Sequence, residues 1–201
     1  MDVDAPDRSA VVCTGNAHKV LELAELLPEF RLEPLPAGTV LPPEVGRTFL
    51  DNARIKAHAG HAMYPDRWVV ADDSGLIVDA LDGAPGVHSA RFAGDNATDE
   101  QNVRLLLRRL EGVQDPELRA ARFACVLVLV APDGSETHAT GFVEGHIAGE
   151  PAGDGGFGYD PVFVPEGHER TFAELGSEVK ATMSHRARAA RELQSRLLAP
   201  A

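Results

Sequence analysis

Lysine is scarce in this chain. Of nineteen basic side chains in 201 residues, three are lysines, Lys19, Lys56 and Lys180, and arginine supplies the rest. Positive charge is short altogether, because thirty-one acidic residues bring the formal net charge to −12. A surface of that sign excludes nonspecific attachment to nucleic acid or to an anionic membrane, since both depend on positive fields. Any phosphate the protein binds must therefore be met by local cations. Cysteine occurs twice, at Cys13 and Cys125, each inside an apolar run of β type. That placement predicts two buried free thiols in a reducing compartment, neither of them catalytic. No run approaches the roughly 18 apolar residues of a membrane-spanning helix. The N-terminus, Met1 to Arg8, is acidic and lacks the basic-then-apolar layout of a secretory signal. The expectation is a cytoplasmic protein. Internal repeats, low-complexity tracts and long linkers are missing as well. With 44% hydrophobic and 25% charged residues, the chain has the material for one large domain or two small lobes.

The three lysines stand beside clusters of polar or glycine residues: Thr14-Gly15-Asn16-Ala17-His18-Lys19, Asp51-Asn52-Ala53-Arg54-Ile55-Lys56, and Lys180 just before Ser184-His185-Arg186. A chain that uses arginine as its default cation, yet keeps lysine at such places, points to sites wanting a compact, strongly hydrated point charge of the kind used against phosphate.

Strand and helix patterns alternate. Ala10 to Cys13 reads as a buried strand, followed by a helix from Ala17 to Leu27 with Val20, Leu23, Ala24 and Leu27 on one face, stopped by Pro28. A second helix, from about Thr48 to Met63, opens on a capping box formed by Thr48 and Asp51, and its Asn52 and Lys56 share a face. Trp68 to Ala71 is the next strand. Thr98 and Gln101 cap a helix to Leu110 with Val103, Leu106, Leu107 and Leu110 as its apolar stripe. Phe123 to Val130, an Asp133-Gly134 turn and Glu136 to Ile147 form a long hairpin, and Ser184 caps a final helix to Leu198 with Ala187, Ala190, Leu193 and Leu197 inward. The pattern predicts mixed α/β structure with an antiparallel portion.

Four segments carry chemistry. Thr14 to Lys19 follows a strand and opens a helix, so its N–H groups and the positive helix end make an anion site; the spacing is neither a P-loop nor a dinucleotide fingerprint and also suits a plain turn, but Lys19 favours phosphate. In Val69 to Leu76 a strand ends in Asp72 and Asp73, then Ser74 and Gly75. Adjacent carboxylates leaving a buried strand need a cation, and Mg²⁺ would serve, with loop residue Glu44 a further ligand; the alternative is a surface turn. Gly83 to Gly94 is rich in small residues and reads as a loop that brings backbone close to a ligand or a partner subunit, with His88 a surface histidine. The fourth runs from Gly153 through Gly156-Phe157-Gly158-Tyr159-Asp160-Pro161 to Lys180, His185 and Arg186. Its glycines free the backbone to approach a planar group, Phe157 and Tyr159 offer stacking faces and the cations offer donors, a combination that suits a nucleotide; a glycine hairpin with two core aromatics would use the same residues.

Six motifs in order, Thr14-Gly15-Asn16-x-x-Lys19, Phe49-x-x-Asn52-Ala53-x-x-Lys56-Ala57, Ala71 to Leu76, Gly83-Ala84-Pro85-Gly86-x-x-Ser89-Ala90-Arg91, Gly156 to Pro161 and Ser184-His185-Arg186-Ala187, make the chain resemble the inosine triphosphate pyrophosphatase family of noncanonical purine NTP pyrophosphatases over about residues 10 to 197. The resemblance implies an α/β fold with a long mixed sheet between two α/β lobes of a single domain and an active-site cleft. It also implies a Mg²⁺-dependent homodimer that hydrolyses ITP, dITP and XTP to the monophosphate and pyrophosphate. By the same resemblance, Thr14, Gly15, Asn16, Ala17, His18, Lys19 and Lys56 hold the triphosphate, and Glu44 and Asp73 bind metal. Asp73 accepts the proton of the attacking water. Ser74, Phe157, Gly158, Tyr159, Asp160, Lys180, His185 and Arg186 enclose the nucleoside. His88, Asp51 and Ala181 depart from the family's usual pattern, without removing a residue given a catalytic role. A nucleotide sensor would use the same loop and base pocket without needing paired Asp72 and Asp73. A covalent phosphomonoesterase would want an Asp-x-Asp nucleophile motif that the chain lacks.

Overall fold

A computed structural model describes residues 8–113 and 115–198, without the side chains of Pro116 and Glu117; the acidic segment 1–7 discussed above lies outside the described residues. In chain order the elements are β1 (Arg8–Val12), α1 (Ala17–Leu26), β2 (Phe30–Pro34), α2 (Phe49–Met63), β3 (Trp68–Val78), α3 (Asp99–Arg109), β4 (Ala120–Val130), β5 (Glu136–Ile147), β6 (Phe163–Pro165), α4 (Phe172–Met183) and α5 (His185–Leu198). Six strands form one sheet in the order β2-β1-β3-β4-β5-β6. β1 pairs in parallel with both β2 and β3, whereas β5 and β6 are antiparallel, so the sheet is mixed, in agreement with the α/β expectation.

The chain divides into two compact units, one comprising Met1–Asp73, Cys125–Gly141 and Arg186–Ala201, the other Ser74–Ala124 and Phe142–His185. In the first, strand alternation sorts two apolar layers. Ala10, Val12, Val70, Cys125, Leu127 and Leu129 pack with Leu23 and Leu27 and with Ala189, Ala190 and Leu193 of α5. The residues between them, Val11, Cys13, Val69, Ala71, Val126, Val128 and Val130, pack with Ala53 and Ala57 of α2. Successive strand residues point to opposite faces, so α1 and α5 cover one side and α2 the other. Gly60 permits the second contact, because a Cβ there would lie 2.2 Å from Cys13 Sγ and 2.8 Å from Val69 Cγ1. The second unit has its own core, in which Leu76, Val78, Val103, Leu106 and Leu110 meet Phe123, Phe163, Phe172 and Tyr159.

Both predicted capping boxes are present, Thr48 with Asp51 on α2 and Thr98 with Gln101 on α3. Three readings need correction, and one helix goes unread. β3 does not stop at Ala71 but runs through Asp72, Asp73, Ser74 and Gly75 to Val78. The two carboxylates are tolerated inside the strand because cations meet them there. Ala24 is exposed, since the buried seam of α1 is Leu23 and Leu27, flanked by Val20 and Leu26, and leaves Ala24 at its edge. The 83–94 segment contains a 3₁₀ helix, Gly86–Arg91, tied down by buried Ser89, whose hydroxyl accepts from Leu76 N and donates to Gly86 O. α4 escapes a periodicity reading because Gly176 interrupts it with φ 82°.

Candidate functional site

In the first unit, β1 delivers the Thr14 to Lys19 turn to the start of α1. Asn16 is the N-cap of that helix: its Oδ1 accepts from His18 N at 2.9 Å and Lys19 N at 3.4 Å, while Thr14 Oγ1 accepts from Asn16 N at 3.2 Å. Three of the amides expected to face an anion are thus engaged by the turn itself. Gly15, Ala17 and His18 are exposed. The Lys19 ammonium lies 3.0 Å from Asp72 Oδ2.

Asp72, fully buried, is the anchor of a cation cluster. Its Oδ2 also accepts from Arg186 Nη2 at 3.0 Å, and Arg186 Nη1 donates to Glu22 Oε2. Burial by itself would push the Asp72 carboxyl up, but Lys19, Arg186 and Lys56 outweigh it and hold the group well below its ordinary value. Arg186, grouped above with the nucleoside contacts, is completely buried against these carboxylates.

Asp73, one residue on, has different company. Asn52 Nδ2 donates to its Oδ2 at 3.0 Å, and Lys56 Nζ lies 3.8 Å from its Oδ1. Lys56 donates in turn to Glu44 Oε1 at 2.5 Å. Asn52 Oδ1 accepts from Gly46 N at 2.8 Å, so one α2 side chain fixes both Asp73 and the loop that carries Glu44. Burial pushes the Asp73 carboxyl up; Lys56 opposes, Glu44 adds to the rise, and the net shift is upward. Lys56 is raised: burial disfavours its charge, but Asp72, Asp73 and Glu44 prevail. The sequence places Asn52 in the cluster around Lys56 without giving it a role, and does not single out Glu22. The i to i+4 spacing of Asn52 and Lys56 was a signal for the first, and nothing local marked the second.

In the second unit, the Lys180 ammonium sits 4.4 Å from the Phe157 ring centroid and 2.6 Å from Asp160 Oδ2. The same Asp160 oxygen accepts from Phe157 N at 2.9 Å. Gly156, at φ 74°, is required here because a Cβ would come within 2.1 Å of Asp160 Oδ2. Gly153 and Gly155 likewise let the backbone approach Ala173 and Glu174. These glycines accommodate the protein's own chain, where the sequence suggested a ligand. Gly158 N donates to Asp99 Oδ2 at 2.6 Å, a partner the sequence did not indicate. Phe157 is half-buried, but Tyr159 is a core residue whose hydroxyl donates to Ser89 O at 2.9 Å, so its ring is not offered for stacking. His185 stacks on Phe123 at 4.8 Å, and Ser74 is half-buried on β3.

Both cysteines are free and buried, and burial pushes their thiols up, Cys13 to about 11 and Cys125 to about 12, which removes them from nucleophilic chemistry. Among the described residues no helix is long and apolar enough to cross a membrane.

The fold and the cluster define an α/β protein that holds its lysines against buried carboxylates on and around a mixed sheet. The Ham1 family model matches residues 10–196, and the chain belongs to the Ham1 family. It is 44% identical over 191 residues to a dITP/XTP pyrophosphatase of Bdellovibrio bacteriovorus, an alignment covering 92% of this chain and 96% of that protein. It is 47% identical over 188 residues to a dITP/XTP pyrophosphatase of Shigella flexneri, covering 90% and 94%. Among solved structures it is similar to the Ham1 protein of Staphylococcus aureus, with a TM-score of 0.82 and 37% identity over 94% of this chain and 97% of that one.

Proposed function

We propose that this protein hydrolyses noncanonical purine nucleoside triphosphates, dITP, ITP and XTP, to the monophosphate and pyrophosphate, and so clears them from the nucleotide pool before they enter DNA or RNA. The observation that carries the reading is the cluster of Asp73, Lys56, Glu44 and Asn52. It sets a buried carboxylate with an elevated pKa beside a lysine and a second carboxylate, which is what attack of water on a phosphoric anhydride needs.

Asp73 Oδ2 is fixed by Asn52, which aims Oδ1 toward the side where Lys56 lies. At Oδ1, Asp73 takes the proton of the attacking water as its oxygen bonds to the α-phosphorus. The bond from that phosphorus to the bridging oxygen breaks, and pyrophosphate leaves with the electron pair. Lys19 and Lys56 offset the charge of the triphosphate. Thr14, Gly15, Asn16, Ala17 and His18 line its approach. Phe157 supplies a ring for the base, with Ser74, Gly158, Tyr159, Asp160, Lys180, His185 and Arg186 framing the nucleoside directly or from behind. On this reading the two compact units are lobes of one catalytic domain.

Glu44 and Asp73 both reach the Lys56 ammonium, so two hard oxygen donors already address one cation. Among the described residues no group of three or more His, Cys, Asp or Glu is arranged to hold an ion, and two protein carboxylates completed by substrate phosphates suit Mg²⁺. When bound, the ion supplies charge neutralisation at the phosphates and a more acidic water. The reading includes a cytoplasmic homodimer, in keeping with a soluble nucleotide substrate. Its direct test is Asp73→Asn, which is expected to lower kcat for ITP by roughly 10²–10⁴ at saturating Mg²⁺; near wild-type turnover would contradict it.

A further inference from the structure

Asp72 and Asp73 are consecutive on β3, yet they face opposite sides of the sheet. Asp72 continues the row of Val70, on the layer covered by α1 and α5, and its oxygen is bonded to Lys19 of α1 and Arg186 of α5. Asp73 continues the row of Val69 and Ala71, on the layer covered by α2, and is bonded to Asn52 and approached by Lys56 of that helix. Strand geometry imposes the division. From it we infer that Asp72 is a positioning residue and not a metal ligand: it fixes the Lys19 ammonium and the Arg186 guanidinium in place, leaving the ion to Glu44 and Asp73. The inference rests on the proposed reaction and deepens it.

The chemistry of the cluster favours this division of labour. Two cations on a fully buried carboxylate leave little negative potential to attract a third. Lys19 hangs from a flexible four-carbon stem, and a lysine held before the substrate arrives loses less rotamer freedom on binding phosphate. Glu22, on the second guanidinium nitrogen of Arg186, keeps that arginine aligned on Asp72 and so completes the brace. A purely structural buried ion pair would stabilise the fold without affecting how the enzyme handles its substrate.

Three measurements separate these roles. Calorimetric titration with Mn²⁺ is expected to give Asp72→Asn an affinity within about 2-fold of wild type, whereas Asp73→Asn loses at least about 10-fold. The same loss in Asp72→Asn would make Asp72 a ligand and overturn the inference. In Asp72→Asn, KM for ITP is expected to rise about 10-fold or more, and combining it with Lys19→Met adds less than about 3-fold to the lysine variant alone, because the two act through one ammonium. An unchanged KM in a folded Asp72→Asn, or fully multiplicative effects, would leave the residue merely structural. Where the variant does not fold, wild-type protein labelled with ¹⁵N-lysine answers the question, since three lysines give three ammonium signals. Added Mg²⁺ is expected to shift the Lys56 signal and leave Lys19 in place; an equal shift at Lys19 would overturn the inference. Wild-type turnover of ITP to pyrophosphate serves as the separate control for the reaction itself.

Discussion

Two buried thiols, one just past β1 and one on β4, and two buried carboxylates on β3 show how differently the same burial acts on single residues. At Asp72, three cations overturn the effect of burial; at Asp73, Lys56 and Lys19 do not, because Glu44 adds to the rise. At Cys13 and Cys125, burial dominates. The thiol values lie above the unfolded value of 9.0, so between pH 9 and about 11 the unfolded chain has released protons that the folded chain still holds. The thiols' contribution to stability is therefore full below pH 9 and falls as pH rises beyond it. Urea midpoints should decline from pH 8 to pH 10, less steeply in Cys13→Ala, and iodoacetamide should leave both native thiols unmodified at pH 8. Rapid labelling of the folded protein would contradict this. The buried state of both cysteines was legible in their apolar flanks. The assignment of Arg186 to a carboxylate anchor was not, because Glu22, Asp72 and Arg186 are far apart in sequence and meet only through the packing of α1, β3 and α5.

Among the elements, α2 contributes most to the candidate site. Its buried face is Asn52, Ala53, Lys56, Ala57 and Gly60, two polar residues among small ones, so the helix lies close to the sheet while delivering an amide and an ammonium. Gly60→Ala is expected to cost about 1–3 kcal/mol, because the new methyl meets Cys13 and Val69. It should also lower kcat/KM for ITP, since pushing α2 outward moves Asn52 and Lys56 together. Thermal unfolding and steady-state rates check both, and a variant as stable and active as wild type would contradict the tight packing. Capping boxes made α2 and α3 readable from four residues each. β3 was read too short, because a pattern rule ends a strand at adjacent carboxylates, whereas the fold places cations on both of its faces. The glycines at 153, 155 and 156 suggest room for a ligand, but Asp160 and α4 occupy that room, and their approach depends on packing that local sequence does not encode.

At the scale of the whole molecule, the sequence order of six short motifs carried the family, and the matched span of residues 10–196 agrees with it. The mixed sheet was legible as alternation plus one hairpin, but strand order was not, since it depends on pairings such as β1 with β3 that join distant segments. A homodimer is expected to sediment in ultracentrifugation at twice the mass of one 21.4 kDa chain; a monomer at micromolar concentration would contradict that part of the reading. The central claim concerns the reaction, and product analysis tests it most directly. Purified protein with Mg²⁺ is given ITP, XTP, dTTP or one of the four ordinary NTPs, and pyrophosphate is separated from orthophosphate. Pyrophosphate released from ITP and XTP far faster than from the others is the predicted result. Orthophosphate as the product, a preference for dTTP, or no turnover at all would contradict it.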